Sequence, residues 1–130
     1  MLEQITIYLA SIILGIMIFF SFVVAPITFK SLNEENARVY IRTIFPYYYN
    51  LNLIISLLIF SILLFLNLLN TDFYLILSIS ILFAVSNYIL MPLINKFRDE
   101  NKDKKFKISH FTSVIINFLQ MILLAIVLFN

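Results

Sequence analysis

Hydrogen-bonding side chains recur at helical spacing in the last apolar stretch of the sequence. They are His110, Ser113, Asn117 and Gln120. Steps of three, four and three residues place all of them on one stripe of an otherwise apolar helix. Because a polar group without a partner is costly in hydrocarbon, we expect this stripe to face other helices or an internal cavity. Histidine also exchanges a proton near neutral pH, so His110 is the side chain best suited to acid–base chemistry.

Polar residues of the other apolar stretches fall at a similar depth. Counting at about 1.5 Å per residue from the basic end of each stretch places Ser21, Asn87 and Asn117 at one level, with Asn52 beside them. We therefore predict a polar cluster as the candidate ligand-binding site. Its predicted members are His110, Ser113, Asn117, Asn87, Asn52 and Ser21. Two interpretations are open: these groups satisfy one another and hold the helices in register, or they line a small pocket.

Two prolines lie near this level. Pro26 and Pro92 cannot donate to the carbonyls of Phe22 and Tyr88, so Asn or Ser side chains could donate there instead. Each proline stands four residues before a lysine, in the segments 24–30 and 90–96. This similarity suggests a duplicated pair of hairpins. Prolines are also common in membrane helices for other reasons, so both explanations stay open.

The residue types exclude several kinds of site. The chain has no cysteine and one histidine, so disulfides and thiolate sites are excluded and no zinc or iron shell can be completed. Glu3 and Asp72 are expected at the opposite face of the membrane. Haem held by His110 and Met91 is the one cofactor alternative. We otherwise predict no cofactor, no metal and no catalytic residue set, which favours a non-enzymatic role.

Composition indicates an integral membrane protein. Hydrophobic residues make up 62% and charged residues 12% of the sequence, whereas soluble domains have roughly 45–50% apolar and about 25% charged residues. The 130 residues hold four spans and leave no room for a soluble domain, so we predict a single domain over residues 1–130. The predicted fold is an all-α, four-helix membrane bundle. Its helices are expected at about Gln4–Phe29, Pro46–Leu69, Phe73–Asn95 and Ile108–Phe129.

The gap between the first two predicted helices has a pattern of its own. Asn33 is a good N-cap, Glu34 and Glu35 suit the positive end of a helix, and apolar residues then recur at helical spacing. Glu34 and Arg38 are spaced for an ion pair along one helix face. We therefore predict a short amphipathic helix at the membrane interface, ended by Pro46.

Positive charge is confined to alternate connections of the predicted spans. All nine Lys and Arg residues lie in the gaps 30–42 and 96–107. The positive-inside rule then places both gaps in the cytoplasm and both termini outside, in the inner (plasma) membrane. Anionic lipid headgroups are the expected partners of Arg38, Arg42, Lys104 and Lys105. The short loops offer no nucleic-acid-reading element, so a nucleic-acid partner is excluded.

Small residues at four-residue spacing also allow close helix contact. The pairs are Ser11 with Gly15 and Ser80 with Ala84. Such spacing lets helix backbones approach one another. Packing inside the chain is the favoured explanation, while a homo-oligomer or a membrane partner subunit stays an alternative.

Several of these features together resemble the transmembrane protein 205-like family, small four-helix membrane proteins whose bacterial branch is a domain of unknown function. The resemblance spans nearly the whole chain. The matching positions are Pro26, Phe29, Phe45, Pro46, Tyr48, Asn87, Pro92, His110, Ser113 and Asn117. It implies the architecture more firmly than any activity, and it names no reaction.

The sequence thus predicts a multi-pass membrane protein that acts as a non-enzymatic accessory subunit or binds a small ligand or lipid. Two alternatives remain: a protein of small-molecule transport or efflux, suggested by the polar stripe of the last helix, and a haem-binding protein that uses His110. No residue pattern identifies the ligand.

Overall fold

Helices follow one another along the whole chain in the computed structural model, which describes residues Met1–Asn130. They are α1 (Leu2–Phe19), a π-helical turn (Phe20–Val24), α2 (Ala25–Ser31), α3 (Glu34–Phe65), α4 (Thr71–Val85), a second π-helical turn (Ser86–Leu90), α5 (Met91–Asp99) and α6 (Asp103–Phe129). The predicted all-α class is confirmed. Four continuous helical stretches are long and apolar enough to cross a membrane, and we call them the first to fourth spans: Leu2–Ser31, Glu34–Phe65, Thr71–Asp99 and Asp103–Phe129.

Asparagines mark the ends of the spans. The side-chain oxygen of Asn33 accepts a 2.8 Å hydrogen bond from the backbone N–H of Asn36, which confirms the predicted N-cap of α3. Asn70 caps α4 in the same way through Phe73. Asn67 and Asn101 adopt left-handed backbone conformations, with φ of 56° and 55°, in the connections that follow α3 and α5. Asparagine tolerates this conformation better than most residues, so it can end a helix where glycine is absent.

The structure shows no separate amphipathic helix before the second span. Residues 34–45 instead form the first turns of α3, which continues through Pro46 without interruption. Proline removes one backbone hydrogen bond and disfavours a helix. Ile44 and Phe45 nevertheless pack against the buried core, and this tertiary contact keeps the turn before the proline helical.

The second basic gap is also more helical than predicted. The third span extends to Asp99, and the fourth begins at Asp103 rather than near Ile108. Only Glu100, Asn101 and Lys102 connect them. Apart from Lys102, the basic residues of this region therefore stand on helix ends, where their positions are fixed by the helical backbone.

The four long helices contact one another in a closed order. α1 packs against α3 and α6, and α4 packs against the same two helices. A ring of this kind buries one stripe of each span. The largest buried apolar side chains, fully enclosed between the spans, are Phe83, Ile13, Met17, Ile59, Ile76, Ile79 and Leu124.

Charged and polar contacts identify the two ends of the molecule. Arg42 of α3 bonds to Asp99 at the end of α5, which brings both basic segments together at what we call the basic end. Asn130 donates to Asp72 at the opposite, terminal end. The turn between α3 and α4 and the C-terminus therefore lie together, as the alternating path of the spans requires.

The two π-helical turns occupy equivalent places in the first and third spans. Ala25 N–H donates to the carbonyl of Phe20, and Met91 N–H donates to that of Ser86, five residues back in both cases. A proline follows each turn after one intervening residue: Pro26 after Ala25, and Pro92 after Met91. A π turn inserts one residue into the helix, and such turns are frequent at functional sites. Both turns lie in the basic half of the molecule.

Candidate functional site

A pocket of about 420 Å³ opens in the basic half, between α2, α3, α5 and α6. This volume falls within the range of about 300–1,000 Å³ that is common for small-molecule sites. Aromatic rings form much of its wall: Phe20, Phe29, Phe45, Phe106 and Phe118. Each π turn shifts the helical register of its span near this pocket. Phe20 of the first turn is part of the pocket lining.

Three arginines and one glutamate line the exposed end of the pocket. They are Arg38, Arg42, Arg98 and Glu34. Glu34 accepts from both Arg98, at 2.9 Å, and Arg38, at 3.3 Å, and the second contact confirms the ion pair predicted along α3. Because one carboxylate serves two guanidinium groups, the exposed end carries an excess of positive charge and of hydrogen-bond donors.

Arg42 is held more firmly than the other two arginines. Its guanidinium donates to both carboxylate oxygens of Asp99, at 2.6 and 3.2 Å, and to the carbonyl of Asn95. Arg98 also lies 4.9 Å from the centre of the Phe106 ring. Arg38 has a single long contact, so it is the arginine with most donors left for a ligand.

The buried end of the pocket is a chain of hydrogen bonds across three spans. Tyr48 Oη donates to Asn117 Oδ1 at 2.8 Å, and Asn117 Nδ2 donates to Ser21 Oγ at 2.9 Å. Tyr48 also stacks on Phe20, with 4.3 Å between ring centroids. The second residue of the first π turn, Ser21, is thereby directed at the fourth span.

His110 and Ser113 also line the pocket. His110 is exposed and stacks on Phe106 with ring centroids 5.8 Å apart. The Ser113 hydroxyl donates to the carbonyl of His110, so its one proton is already committed to the helix backbone. His110 thus brings an imidazole to the pocket wall, and no nucleophile is hydrogen-bonded to it.

Asn87 belongs to a different set of contacts. Its amide donates to Asn50 Oδ1 at 2.9 Å, and Tyr88 Oη donates to the same oxygen at 3.0 Å. Asn87 is the second residue of the second π turn, the position that Ser21 holds in the first. Each π turn therefore presents the polar side chain at its second position to a neighbouring span.

Asn52 and Gln120 lie deeper between the spans. Both are fully buried. Gln120 donates to the carbonyl of Ile79 at 3.2 Å, whereas neither polar atom of the Asn52 side chain has a partner. Ser80 donates to Ser56 at 2.9 Å one helical turn beyond Asn52.

The six predicted site residues are therefore divided among three places. His110, Ser113, Asn117 and Ser21 line the pocket, Asn87 bonds to Asn50, and Asn52 is enclosed in the core. The Asn and Ser side chains near Pro26 and Pro92 bond to one another rather than to the carbonyls of Phe22 and Tyr88.

Sequence reasoning missed Asn50 and Tyr88, and it did not include Tyr48 or the arginines in the ligand site. Asn50 stands two residues from Asn52 and therefore on a different face of α3, so the available signal was an amide side chain in an apolar stretch. Its partner could not be read from spacing because α3 and the second π turn meet only in the fold.

The residues predicted to meet lipid headgroups lie at the basic end. Lys104 and Lys105 are exposed on the first turn of α6, and Lys105 lies 5.8 Å from the Phe97 ring. Arg38 and Arg42 face the pocket entrance instead. In the connection before α6, the Lys102 ammonium bonded to Glu100 holds the pKa of that carboxyl below its usual range. No three His, Cys, Asp or Glu side chains come close enough to hold a metal ion.

The small residues that were predicted to allow close helix contact have different environments. Ser80 is buried and bonds across to α3, as expected for packing within the chain. Ser11 and Gly15 are exposed on the outer face of α1, and a methyl group added at Gly15 would meet nothing within 4 Å.

Comparison with known proteins identifies relatives without a described activity. The family model described as "Domain of unknown function (DUF4149)" matches residues 8–103, well over half of the chain. An "Uncharacterized protein" of Aquifex aeolicus (strain VF5) is 40% identical over 55 residues, a segment that covers 42% of this chain and 42% of that protein. No solved structure matches the chain.

Proposed function

Because the chain belongs to the DUF4149 family, for which no function is described, we propose its function from the pocket: it is a four-helix-bundle membrane protein that binds a small amphipathic anion. The ligand class is an apolar chain with a phosphate or carboxylate head. The observation that carries the proposal is the division of one pocket into an arginine-lined end and aromatic walls. Arginine donates to such anions in a fixed fork, and apolar walls accommodate the chain.

The proposed orientation follows from the distribution of charge. Both basic segments meet at one end through the Arg42–Asp99 and Arg98–Glu34 pairs. Under the positive-inside rule this end is cytoplasmic, both termini are outside, and the pocket opens at the inner leaflet of the inner membrane. Lys104 and Lys105 would then meet anionic headgroups beside the entrance. The first turns of α3 supply the interfacial segment that the sequence indicated.

The orientation has a direct test because the chain has no cysteine of its own. Single-cysteine variants Lys104→Cys and Asn130→Cys can be treated with a membrane-impermeant maleimide in intact cells. Labelling at position 130 and protection at position 104 are expected. The reverse pattern would place the pocket on the outer side and contradict the proposed source of the ligand.

The structure of the terminal half favours binding over transport as the function. Beyond the Ser56–Ser80 contact, the side chains fully enclosed between the spans are apolar, among them Ile13, Ile59 and Ile76. A pocket closed in this way has no polar route to the terminal end. Transport through the chain would require a second conformation, whereas binding requires only the one described.

The resemblance to transmembrane protein 205-like proteins adds independent support. Most of the sequence positions that carry it also line the pocket: Pro26, Phe29, Phe45, Tyr48, His110, Ser113 and Asn117. We therefore propose that the resemblance reflects a shared ligand site and a distant relationship between the two families.

The ligand class can be tested with three matched probes on protein in neutral detergent micelles. Dodecyl phosphate has both the head and the chain, dodecanol lacks the charge, and butyl phosphate lacks the long chain. Native mass spectrometry should retain dodecyl phosphate and neither of the others. Equal retention of dodecanol would contradict the role of the arginines.

A charge-matched pair of variants makes this test specific to the pocket. Arg38→Gln removes a guanidinium that lines the entrance, and Lys104→Gln removes an equal charge from an exposed position outside the pocket. A hydrogen bond to a charged group contributes about 1.5–3 kcal/mol, so Arg38→Gln should weaken dodecyl phosphate binding by about tenfold or more. Equal loss in both variants would show that only overall charge matters.

Haem is the second candidate because His110 and Met91 line the same pocket. Histidine and methionine together form one known pair of axial haem ligands. The absorption spectrum of protein purified from cells supplied with haem precursor checks this candidate. A Soret band that disappears in His110→Ala would favour haem over the amphipathic anion.

A further inference from the structure

Asn52 and Gln120 are buried polar side chains with hydrogen-bonding atoms that have no partner within the protein. Both residues have no exposed surface. The amide nitrogen and oxygen of Asn52 and the amide oxygen of Gln120 have no partner. Buried polar groups in proteins are nearly always bonded to protein or to ordered water. Neither residue lines the pocket described above, so these atoms belong to a separate place in the core.

A neighbouring contact fixes the relative depth of these residues. On the basic side, Tyr48 of α3 bonds to Asn117 of α6. Asn52 and Gln120 each stand one helical turn beyond that contact in the same direction, because α3 and α6 both run from the basic to the terminal end. The two side chains therefore occupy the same layer.

Contacts on α4 locate the layer from the other side. Gln120 reaches the carbonyl of Ile79, and Ser56, one turn beyond Asn52, bonds to Ser80. Adjacent residues of α4 are thus contacted from α6 and from α3. Gln120 therefore reaches α4 from the fourth span, while Ser56, one turn from Asn52 on the same face of α3, reaches it from the second span.

The orientation of the Gln120 amide is set by its one contact. A carbonyl can only accept, so the atom that bonds to Ile79 must be the amide nitrogen. The oxygen of Gln120 then points away from Ile79 as an acceptor. Together with Asn52 it offers two acceptors and one donor group to any molecule between them.

We propose that Asn52 and Gln120 form a binding site for one buried water molecule that bridges the second and fourth spans. Water donates to Asn52 Oδ1 and to Gln120 Oε1 and accepts from Asn52 Nδ2. The occupant is neutral because the layer contains amides and hydroxyls but no charged side chain, and an unpaired ion there would be costly. The site is independent of the ligand proposed for the pocket.

A crystal structure from a lipidic mesophase, at a resolution that shows ordered water, tests the proposal. Density for one water within hydrogen-bonding distance of all three atoms is expected. Asn50 and Asn87 are the internal control because they already bond to each other and need no bridge. A direct bond between the Asn52 and Gln120 amides, without intervening density, would overturn the proposal.

Variants give a second readout that does not need a crystal. Asn52→Leu and Gln120→Met remove the polar atoms while keeping similar volumes. If one water links the two residues, the loss of melting temperature in the double variant should be smaller than the sum of the single losses. The Tyr48–Asn117 contact should persist in Asn52→Leu, as shown by an unchanged Asn117 side-chain amide signal in NMR spectra. Strictly additive losses would contradict a shared water.

Discussion

The basic and terminal halves of this protein hold their helices together by different means. In the terminal half the spans meet through fully buried apolar side chains such as Ile13, Ile59 and Ile76. In the basic half they meet through side-chain hydrogen bonds, the Tyr48–Asn117–Ser21 chain and the Asn87–Asn50 pair. The pocket and both π turns lie in that second half.

The difference shows where this fold can accommodate a ligand. Apolar contacts between helices in a membrane gain stability only by close packing, because lipid chains are as apolar as the side chains that replace them. A half built this way loses stability wherever a cavity opens between its spans. Directional hydrogen bonds can hold helices at a fixed separation, so the basic half keeps its register while leaving about 420 Å³ between the spans.

The largest expected effect is in the terminal half. Ile76→Ala opens a cavity at a fully buried position and should destabilise the protein by about 2 kcal/mol, the lower end of the usual range because detergent or lipid contacts partly replace those lost. Ile81→Ala is the control on the same helix, since Ile81 is 53% exposed. Unfolding in mixed micelles with increasing SDS gives both values. Similar losses in the two variants would show that the terminal half is not closely packed.

A smaller effect is expected in the basic half. Asn117→Ala removes the acceptor of Tyr48 and the donor to Ser21. Hydrogen bonds between membrane helices contribute about 0.6 kcal/mol each on average, so the loss should be about 1 kcal/mol in the same unfolding measurement. Binding of dodecyl phosphate should weaken as well, because Asn117 lines the pocket.

Ser113→Ala is the matched control for Asn117→Ala. Ser113 also lines the pocket, but its hydroxyl bonds only to the backbone of its own helix. The free energy of unfolding should therefore decrease less in Ser113→Ala than in Asn117→Ala. If Asn117→Ala were as destabilising as Ile76→Ala, the division of the molecule into a packed half and a hydrogen-bonded half would be wrong.

The sequence predicted the helices of both halves better than the contacts between the helices. The structure confirms three predicted features: four apolar helices, the Asn33 cap and the Glu34–Arg38 pair. They were predictable because each depends on residues close together in the chain. The separate helix before Pro46 was not found, because contacts of Ile44 and Phe45 with the core outweigh the local effect of the proline.

The candidate site was harder to predict than the helices. Spacing identified Asn117 and Ser21, which do bond to each other. The same reasoning grouped Asn87 and Asn52 with them, although depth along the membrane does not determine which helices are neighbours. The π turns leave no local sequence signal beyond a following proline, and Pro46 shows that a proline alone is insufficient.

The smallest expected effect on stability concerns the ion pairs at the basic end. Arg42→Gln breaks the contact with Asp99, where the Arg42 side chain is 31% and the Asp99 side chain 58% exposed. Exposed pairs contribute little to stability and are screened by salt. The loss in the SDS unfolding measurement should therefore stay below that of Asn117→Ala and shrink at high ionic strength. A loss that exceeds it and resists salt would mean that charge, rather than the buried hydrogen bonds, holds the basic half together. The expected small loss instead agrees with anion binding by the arginines at the pocket entrance. Side chains that contribute little to folding can exchange a carboxylate partner for a ligand at little cost in stability.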